Sequence, residues 1–373
     1  MAEPVRPYAT WVEVDLQAIR DNVRWVVEQS SVAVMAIVKA DGYGHGSVAV
    51  ARAALQGGAT WLGVARLEEA LELRQAGFQT PILLLGYLSK AQMEYAIQSD
   101  LAITVWTAEQ IEALEHHSSR LGRKAQVHLK IDSGMGRIGV LPQDAQILAR
   151  QLVHSKHLLW EGVFTHFARA DENDPTPTNQ QLERFRFALE QMRAYFPPTL
   201  RIHAANSAAT LTRQDALFDM VRLGIAMYGL HPSPTCPLPP SFKPALSWKT
   251  VLSHVKSVPP GEGISYGHIY TTRTTERIGT LPVGYADGFR RWQGNRVLIR
   301  GKKVPVIGRV CMDQSMVLLE EVPEAQAGDE VVIIGKQGEQ QITAEEVASI
   351  WGTINYEVVC GIGKRVPRVY LNA

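Results

Sequence analysis

Cysteine is scarce in this chain of 373 residues: only Cys236, Cys311 and Cys360 occur, an odd number with no CxxC spacing. That excludes a disulfide framework or a zinc ribbon and fits a reducing compartment, so a cytoplasmic location and no structural metal are expected. Net charge is nearly absent as well. Lys and Arg number 38 against 37 Asp and Glu, a formal charge of +1, which gives neither a nucleic acid nor an anionic membrane surface a reason to bind. Long apolar runs are missing: the stretch Val32–Val38 is far too short to span a bilayer. The opening "MAEPVRPYATWVEVDL" also lacks the basic start, apolar core and cleavage site of a secretory signal. No repeat or low-complexity tract occurs. Hydrophobic residues, at 46%, are plentiful enough for a sizeable core, and the length suggests two domains, with a large barrel domain among the architectures it allows.

Short runs rich in Val, Ile and Leu recur between residues 30 and 230, with amphipathic helical stretches between them, as in parallel βα units. The runs are "SVAVMAIVKA", "TWLGVA", "PILLLGYL", "LAITVW", "AQVHLKID", "LLWEGVFTH", "LRIHAAN" and "MVRLGIAMYG". Eight such units close a (β/α)8 barrel of the TIM type. A doubly wound open sheet is the competitor, but its GxGxxG fingerprint is missing from "KADGYGHGS" after the first run. The barrel is expected over residues 10–235. Beyond the proline-rich "GLHPSPTCPLPPSFKP", residues 229–244, short strands between Gly and Pro turns predict a mainly β C-terminal domain over 240–373. It should contain one helix near "TAEEVASIWG", and residues 1–9 are expected to pack with it.

The stretch "AIVKADGYGHG" places Lys39 at the C-terminal end of the first barrel strand, the face where barrel enzymes build their sites. A lysine there is either solvated or functional. Gly42, Gly44 and Gly46 keep the following loop low and open, which favours the second reading. A desolvated lysine forms a Schiff base with a carbonyl cofactor, pyridoxal phosphate being the commonest. A phosphate should then find its donors after the seventh and eighth strands. "HAANSAAT" offers Asn206 and Ser207 at a helix start, and "RLGIAMYG" offers the turn at Gly224 and Ile225.

"AIVKADGYGHG", "KIDSGMGRIG", "ANSAAT", "VRLGIAMYG", "ISYG", "GRVCMDQ" and "NYEVV", in that order over almost the whole chain, resemble alanine racemases. The resemblance implies a homodimer of barrel plus β domain that interconverts L- and D-alanine with pyridoxal phosphate and supplies D-alanine for peptidoglycan. It implies that Lys39 carries the cofactor and serves as base on one face of the substrate, while Tyr266, from the neighbouring subunit, serves the other. His166 and Arg222 are then the network around that tyrosine. Arg222 faces the pyridine nitrogen, which a donor-only guanidinium leaves unprotonated, so transamination is suppressed. Arg137 aims at the cofactor's phenolic oxygen or the substrate carboxylate. Lys130 matches a lysine that is often carbamylated and steadies that arginine. Tyr43 and Tyr356 match tyrosines that bind the phosphate. Met312 meets the substrate carboxylate through its backbone N–H, with Asp313 beside it, and Cys311 is a packing residue of the same loop. Tyr266, Tyr285 and Tyr356 form a narrow entrance that suits a compact substrate. Rivals are a racemase of serine or a broader amino-acid range, differing at the entrance, and a decarboxylase of the same fold, which would carry an acidic partner for the pyridine nitrogen where this chain has Arg222. A non-catalytic carrier built from the barrel alone would lack the second domain.

Overall fold

The structure, a computed structural model, describes residues 8–373. Two compact units emerge: Ala18–Lys243, and a second made of the described residues up to Gln17 with Pro244–Ala373. The chain opens with β1 (Thr10–Asp15), which belongs to the second unit. Eight parallel strands then build the first: β2 (Ala33–Ile37), β3 (Trp61–Val64), β4 (Ile82–Leu84), β5 (Ala102–Val105), β6 (Ala125–Lys130), β7 (Leu158–Phe164), β8 (Arg201–His203) and β9 (Met220–Leu223). They pair in the order β8-β7-β6-β5-β4-β3-β2-β9. The ring closes where Asp219 N–H donates to Ile202 O and Arg222 N–H to Ala205 O, both at 3.0 Å. Every residue of β3 and β5 is buried, as parallel strands covered on both faces require. The eight expected runs hold these eight strands.

Helix boundaries follow local chemistry. Before Ala108–Leu121, the Thr107 hydroxyl accepts from Gln110 N–H while the Gln110 side chain returns to the Thr107 backbone, and Gly122 at φ 64° ends the helix. The helix turns Ile111 and Leu114 inward. The barrel interior is less ordinary. Such interiors are usually filled by Val, Ile and Leu, yet His128 and Lys130 on β6, His203 on β8 and Arg222 on β9 are all buried. The two-residue period of β6 puts His128 and Lys130 on one face. Gly162 makes room, because a Cβ there would come within 2.3 Å of His128 Nδ1.

Burial first, then Arg201 and Arg222, lowers the His128 pKa to about 3. His203 is pushed well below the usual imidazole value by burial first and then by Arg222, His128 and Lys130. An unfolded histidine titrates near ~6.5, so between about 3 and about 6.5 the unfolded chain binds more protons than the folded one. Stability is therefore fully present above that window and is lost as pH falls through it. His128→Gln is expected to weaken this acid sensitivity, which urea midpoints at about pH 7 and about pH 5 measure.

The second unit is mainly β. Its further strands are β10 (Leu246–Val251), β11 (His254–Val258), β12 (Gly263–Ile264), β13 (Tyr270–Thr271), β14 (Glu276–Leu281), β15 (Arg296–Ile299), β16 (Lys302–Ile307), β17 (Ser315–Leu318), β18 (Glu330–Gln337), β19 (Gln340–Ile342) and β20 (Arg368–Leu371). The main sheet runs β11-β14-β17-β16-β15-β18-β10-β1-β20. Strand β10 buries alternate residues, Leu246, Trp248 and Thr250, the mark of a half-covered antiparallel strand. Val258, Ile264, Ile278 and Ile307 make one core cluster, with Tyr270, Met316 and Leu318 against it. Two expectations need correction here. Strand β1, placed by sequence inside the barrel, pairs antiparallel with β10 and parallel with β20, and with a partner on each side its residues Trp11–Val14 are all buried. The helix Ala344–Trp351 is joined by a second, Asn355–Cys360, too short to show a helical period. Of the N-terminal segment expected to pack with this domain, residues 1–7 lie outside the described residues; the Ala9 carbonyl accepts from the Thr250 hydroxyl at 3.0 Å.

Candidate active site

Strand β2 delivers Lys39 at its C-terminal end, partly buried, and the chain then turns left-handed. Ala40, Asp41, Gly42 and Tyr43 all have φ between 52° and 59°, a conformation costing roughly 1–2 kcal/mol for each residue with a Cβ. Such strain persists only where surrounding contacts over-determine it. Glu69, in the helix Leu67–Gln75, supplies them: one carboxylate oxygen accepts from Ala40 N–H at 2.6 Å, the other from Ala65 and Arg66 N–H at 2.8 and 3.0 Å. Asp41 accepts from Ser47 N–H at 3.0 Å, and the Ser47 hydroxyl donates to Glu72 at 3.1 Å. A run of small residues with one buried tyrosine is thereby locked into a single shape behind Lys39.

Beside it lies a group of cations. Arg222 donates from Nη1 to His203 Nδ1 (2.9 Å) and His203 O (3.2 Å), and from Nη2 to Thr165 O (2.7 Å), Ala204 O (2.8 Å) and His166 Nδ1 (3.2 Å). These bonds occupy the Nη hydrogens and leave Nε–H as a donor. Burial, then Arg137, lowers the Arg222 pKa to about 9, so at neutral pH it remains a cation. Because Arg222 donates to both Nδ1 atoms, the neutral His203 and His166 carry their protons on Nε2. His203 Nε2 in turn meets His128 Nδ1 at 3.0 Å. His166 is held well below the usual imidazole value by burial first, then by Arg222, Lys130, Arg137 and Lys39. Lys130, against the Phe164 ring at 4.3 Å, is likewise pushed down by burial, then by Arg222 and Arg137, with Asp132 opposing. Arg137 is exposed on a glycine turn that Asp132 ties by accepting from Gly134, Met135 and Gly136 N–H at 2.9–3.0 Å.

The third component is a polar cradle. Asn206 caps the helix Ser207–Thr212, its side-chain oxygen accepting from Ala209 N–H at 3.0 Å. The Ser207 hydroxyl accepts from Gly224 and Ala226 N–H at 2.9 and 3.3 Å, with Ile225 between them. A Cβ on Gly224 would lie 3.0 Å from the Tyr43 hydroxyl and 3.7 Å from that of Ser207, so the glycine keeps open a space rimmed by two hydroxyls and N–H groups.

In the second unit, the remaining expected residues gather on neighbouring loops. The Ser265 hydroxyl donates to Arg309 O at 2.6 Å and lies 3.4 Å from Cys311 Sγ, fastening the Tyr266 turn to the loop of Cys311 and Met312. Tyr285 and Ala286 N–H donate to Cys311 O and Met312 O at 3.0 Å. Arg365 pairs with both Asp287 and Asp313 at 2.8 and 2.7 Å. Tyr266, Tyr285 and Met312 are 68%, 46% and 53% exposed. Tyr356 is half-buried in the helix Asn355–Cys360.

Family models match both units in chain order: "Alanine racemase, N-terminal domain" over residues 14–232 and "Alanine racemase, C-terminal domain" over 245–370. The chain belongs to the alanine racemase family. Alanine racemase of Symbiobacterium thermophilum is 50% identical over 365 residues, 97% of each chain, and that of Desulfovibrio desulfuricans is 44% identical over 97% of this chain and 98% of its own. Among solved structures, alanine racemase of the D-cycloserine producer Streptomyces lavendulae matches with a TM-score of 0.94 at 40% identity, covering 99% of this chain and 98% of its own. The Bacillus anthracis enzyme with bound L-Ala-P matches at 0.92 and 44%, covering 100% and 96%.

The arrangement fits the cofactor that family resemblance implies. A lysine at a strand end, the Tyr43 and Ser207 hydroxyls around an open glycine, and a donor-only Arg222 suit an aldehyde, a phosphate and an unprotonated ring nitrogen respectively. Gly224→Ala fills the cradle and is expected to weaken pyridoxal phosphate binding about tenfold or more, as equilibrium dialysis of the variant measures. Sequence reading missed Glu69, His203 and His128. Glu69 stands three residues into a helix, where acidic side chains are routine caps. His203 and His128 had a weak signal: polar residues inside runs otherwise apolar.

Proposed function

We propose that the protein interconverts L- and D-alanine as a cytoplasmic homodimer, with pyridoxal phosphate joined to Lys39, and that the D-alanine serves peptidoglycan synthesis. The observation carrying this reading is the convergence of Lys39, Arg137, His166 and Arg222 with the Tyr43, Ser207 and Gly224 cradle at one end of the barrel strands. Among the described residues no helix is long and apolar enough to cross a membrane.

When bound, pyridoxal phosphate supplies an electron-withdrawing ring that acidifies the Cα–H of the amino acid. Racemisation then needs a proton removed from one face of Cα and returned to the other. Lys39 handles one face, and Tyr266 of the partner subunit handles the other. An isolated tyrosine titrates near ~10, so its phenolate needs donors and positive charge nearby. With Arg222 donating to Nδ1, the His166 Nε2–H is left to serve as that donor. Arg222, a donor with no acceptor, would bind the ring nitrogen through Nε–H and so keep it unprotonated. Arg137 and the Met312 backbone N–H of the partner subunit bind the substrate carboxylate, with Asp313 of the partner subunit beside it. Tyr43, Asn206, Ser207, Gly224, Ile225 and Tyr356 are the residues that would hold the phosphate. Burial first, then Arg222 and Arg137, shifts Lys130 toward the neutral amine, the form that would add carbon dioxide: an N–C bond forms, a proton leaves, and the resulting anion would steady Arg137. Tyr266, Tyr285 and Tyr356 restrict the entrance to small substrates.

Borohydride reduction of the purified protein followed by peptide mapping should place the pyridoxyl group on Lys39, and the untreated protein should turn L-alanine into D-alanine. A pyridoxyl group on Lys130 or Lys90 instead would overturn the assignment.

A further inference from the structure

The end of the barrel opposite Lys39 holds a second cavity, about 420 Å³ in volume, at the N-terminal ends of the strands. Trp61, Gln126, Glu161 and Arg201 line it from β3, β6, β7 and β8, and Arg74 and Asp100 stand at its rim. The volume lies in the range of small-molecule sites, about 300–1,000 Å³.

One charged group here, Glu161, is left short of a partner, and an exposed arginine, Arg201, stands beside it. Pairing of β6 with β7 shifts register between Val127 and His128, which face Trp160 and Gly162, so Glu161 is the extra residue of a bulge. Bulges re-aim side chains, and this one brings Glu161 to the cavity, where its Oε2 is buried without a hydrogen-bond partner among the described residues. Burial raises the Glu161 pKa and Arg201 opposes it, so the two charges sense each other without that oxygen being satisfied. Arg201 lies over the Trp61 ring, its guanidinium carbon 5.5 Å from the centroid. Arg74 cannot serve Glu161, since it is committed to the carbonyls of Ser99, Phe78, Thr80 and Asp100 at 2.8–3.0 Å. A buried carboxylate oxygen lacking a donor, beside an exposed cation that stacks on an aromatic ring, suits a ligand with an ammonium at one end and an anion at the other.

We infer that this end of the barrel is a binding site for a small zwitterionic ammonium carboxylate of the free amino-acid class, its ammonium on Glu161 and its carboxylate on Arg201, beside Trp61. The site uses none of the residues assigned to racemisation.

N,N-dimethylglycine is the probe, because its tertiary ammonium donates to a carboxylate but cannot condense with a carbonyl cofactor. Titrated into the holoenzyme by calorimetry, it should bind saturably with a dissociation constant on the order of 1 mM. Glu161→Gln and Arg201→Gln should each weaken it about tenfold or more, whereas Lys39→Ala should leave it unchanged. In wild-type protein, nuclear Overhauser contacts from the probe methyls to the Trp61 indole should appear, which keeps the site testable if a variant does not fold. Absence of saturable binding, indifference to both substitutions, absence of the Trp61 contacts, or loss of binding in Lys39→Ala would each overturn the inference.

Discussion

Co-expressing Lys39→Ala with Tyr266→Phe is expected to restore about a quarter of wild-type activity, although each variant alone is nearly inactive. With random pairing half the dimers are mixed, and a mixed dimer concentrates both defects in one site and leaves its other site intact. One site in four then works. The expectation rests on the proposed sharing of each site across an isologous pair, and it is supported by the exposure of Tyr266, Tyr285 and Met312 on adjoining loops of the second unit. Large apolar side chains gathered on one surface are the usual sign of a face that another chain covers. If Lys39 and Tyr266 acted within one chain, every site would keep one defect and mixing would recover nothing. Activity of tagged, chromatographically isolated heterodimers decides between the two.

Arg222→Glu should cost more than rate. The guanidinium ties the segments of Thr165 and of His203–Ala204 to its own strand by donating to Thr165 O, His203 O and Ala204 O, and a carboxylate there turns donors into acceptors facing carbonyls. Loss of a buried, hydrogen-bonded charge costs about 3–5 kcal/mol, so thermal stability should fall. A carboxylate would also let the cofactor ring nitrogen hold a proton. Racemisation should drop by orders of magnitude while pyruvate, the product of amino-group transfer, accumulates. Arg222→Lys separates the two effects: it retains positive charge, loses the five-bond geometry, and should lose rate without releasing pyruvate. Pyruvate from both variants, or from neither, would show that the charge facing the ring nitrogen is not what suppresses transfer.

The barrel was legible because strands such as β3 and β5, buried on both faces, read as compact apolar runs, and because each strand pairs with a neighbour close in sequence. Strand β1 was not, since "TWVEVD" carries no mark of where its partners lie. The left-handed turn after Lys39 was half legible. Gly42 and Gly44 announce positive φ, but Ala40, Asp41 and Tyr43 adopt it only under tertiary constraint, with Glu69 holding Ala40. Arg222 and His166 were readable through resemblance as one network, whereas the acceptor His203 needed coordinates, because a hydrogen bond between β9 and β8 leaves no spacing in the chain. The cavity of Glu161 depends on a bulge, which a one-residue register shift creates without any change of composition.

The placement of β1 between β10 and β20 has a consequence for how the protein is made. The hydroxyls of Thr10 and Thr250 meet at 2.8 Å across 240 residues of chain. At a synthesis rate of about 5–20 residues per second, the strand that emerges first waits on the order of ten seconds or longer for its first partner, and longer still for β20. Throughout that wait the barrel can fold, since all its strands lie in the intervening segment, while "TWVEVD" remains an unpaired edge open to any other nascent chain. Ribosome-bound intermediates stalled before Leu246 should therefore show a protease-resistant barrel and a cleavable N-terminus.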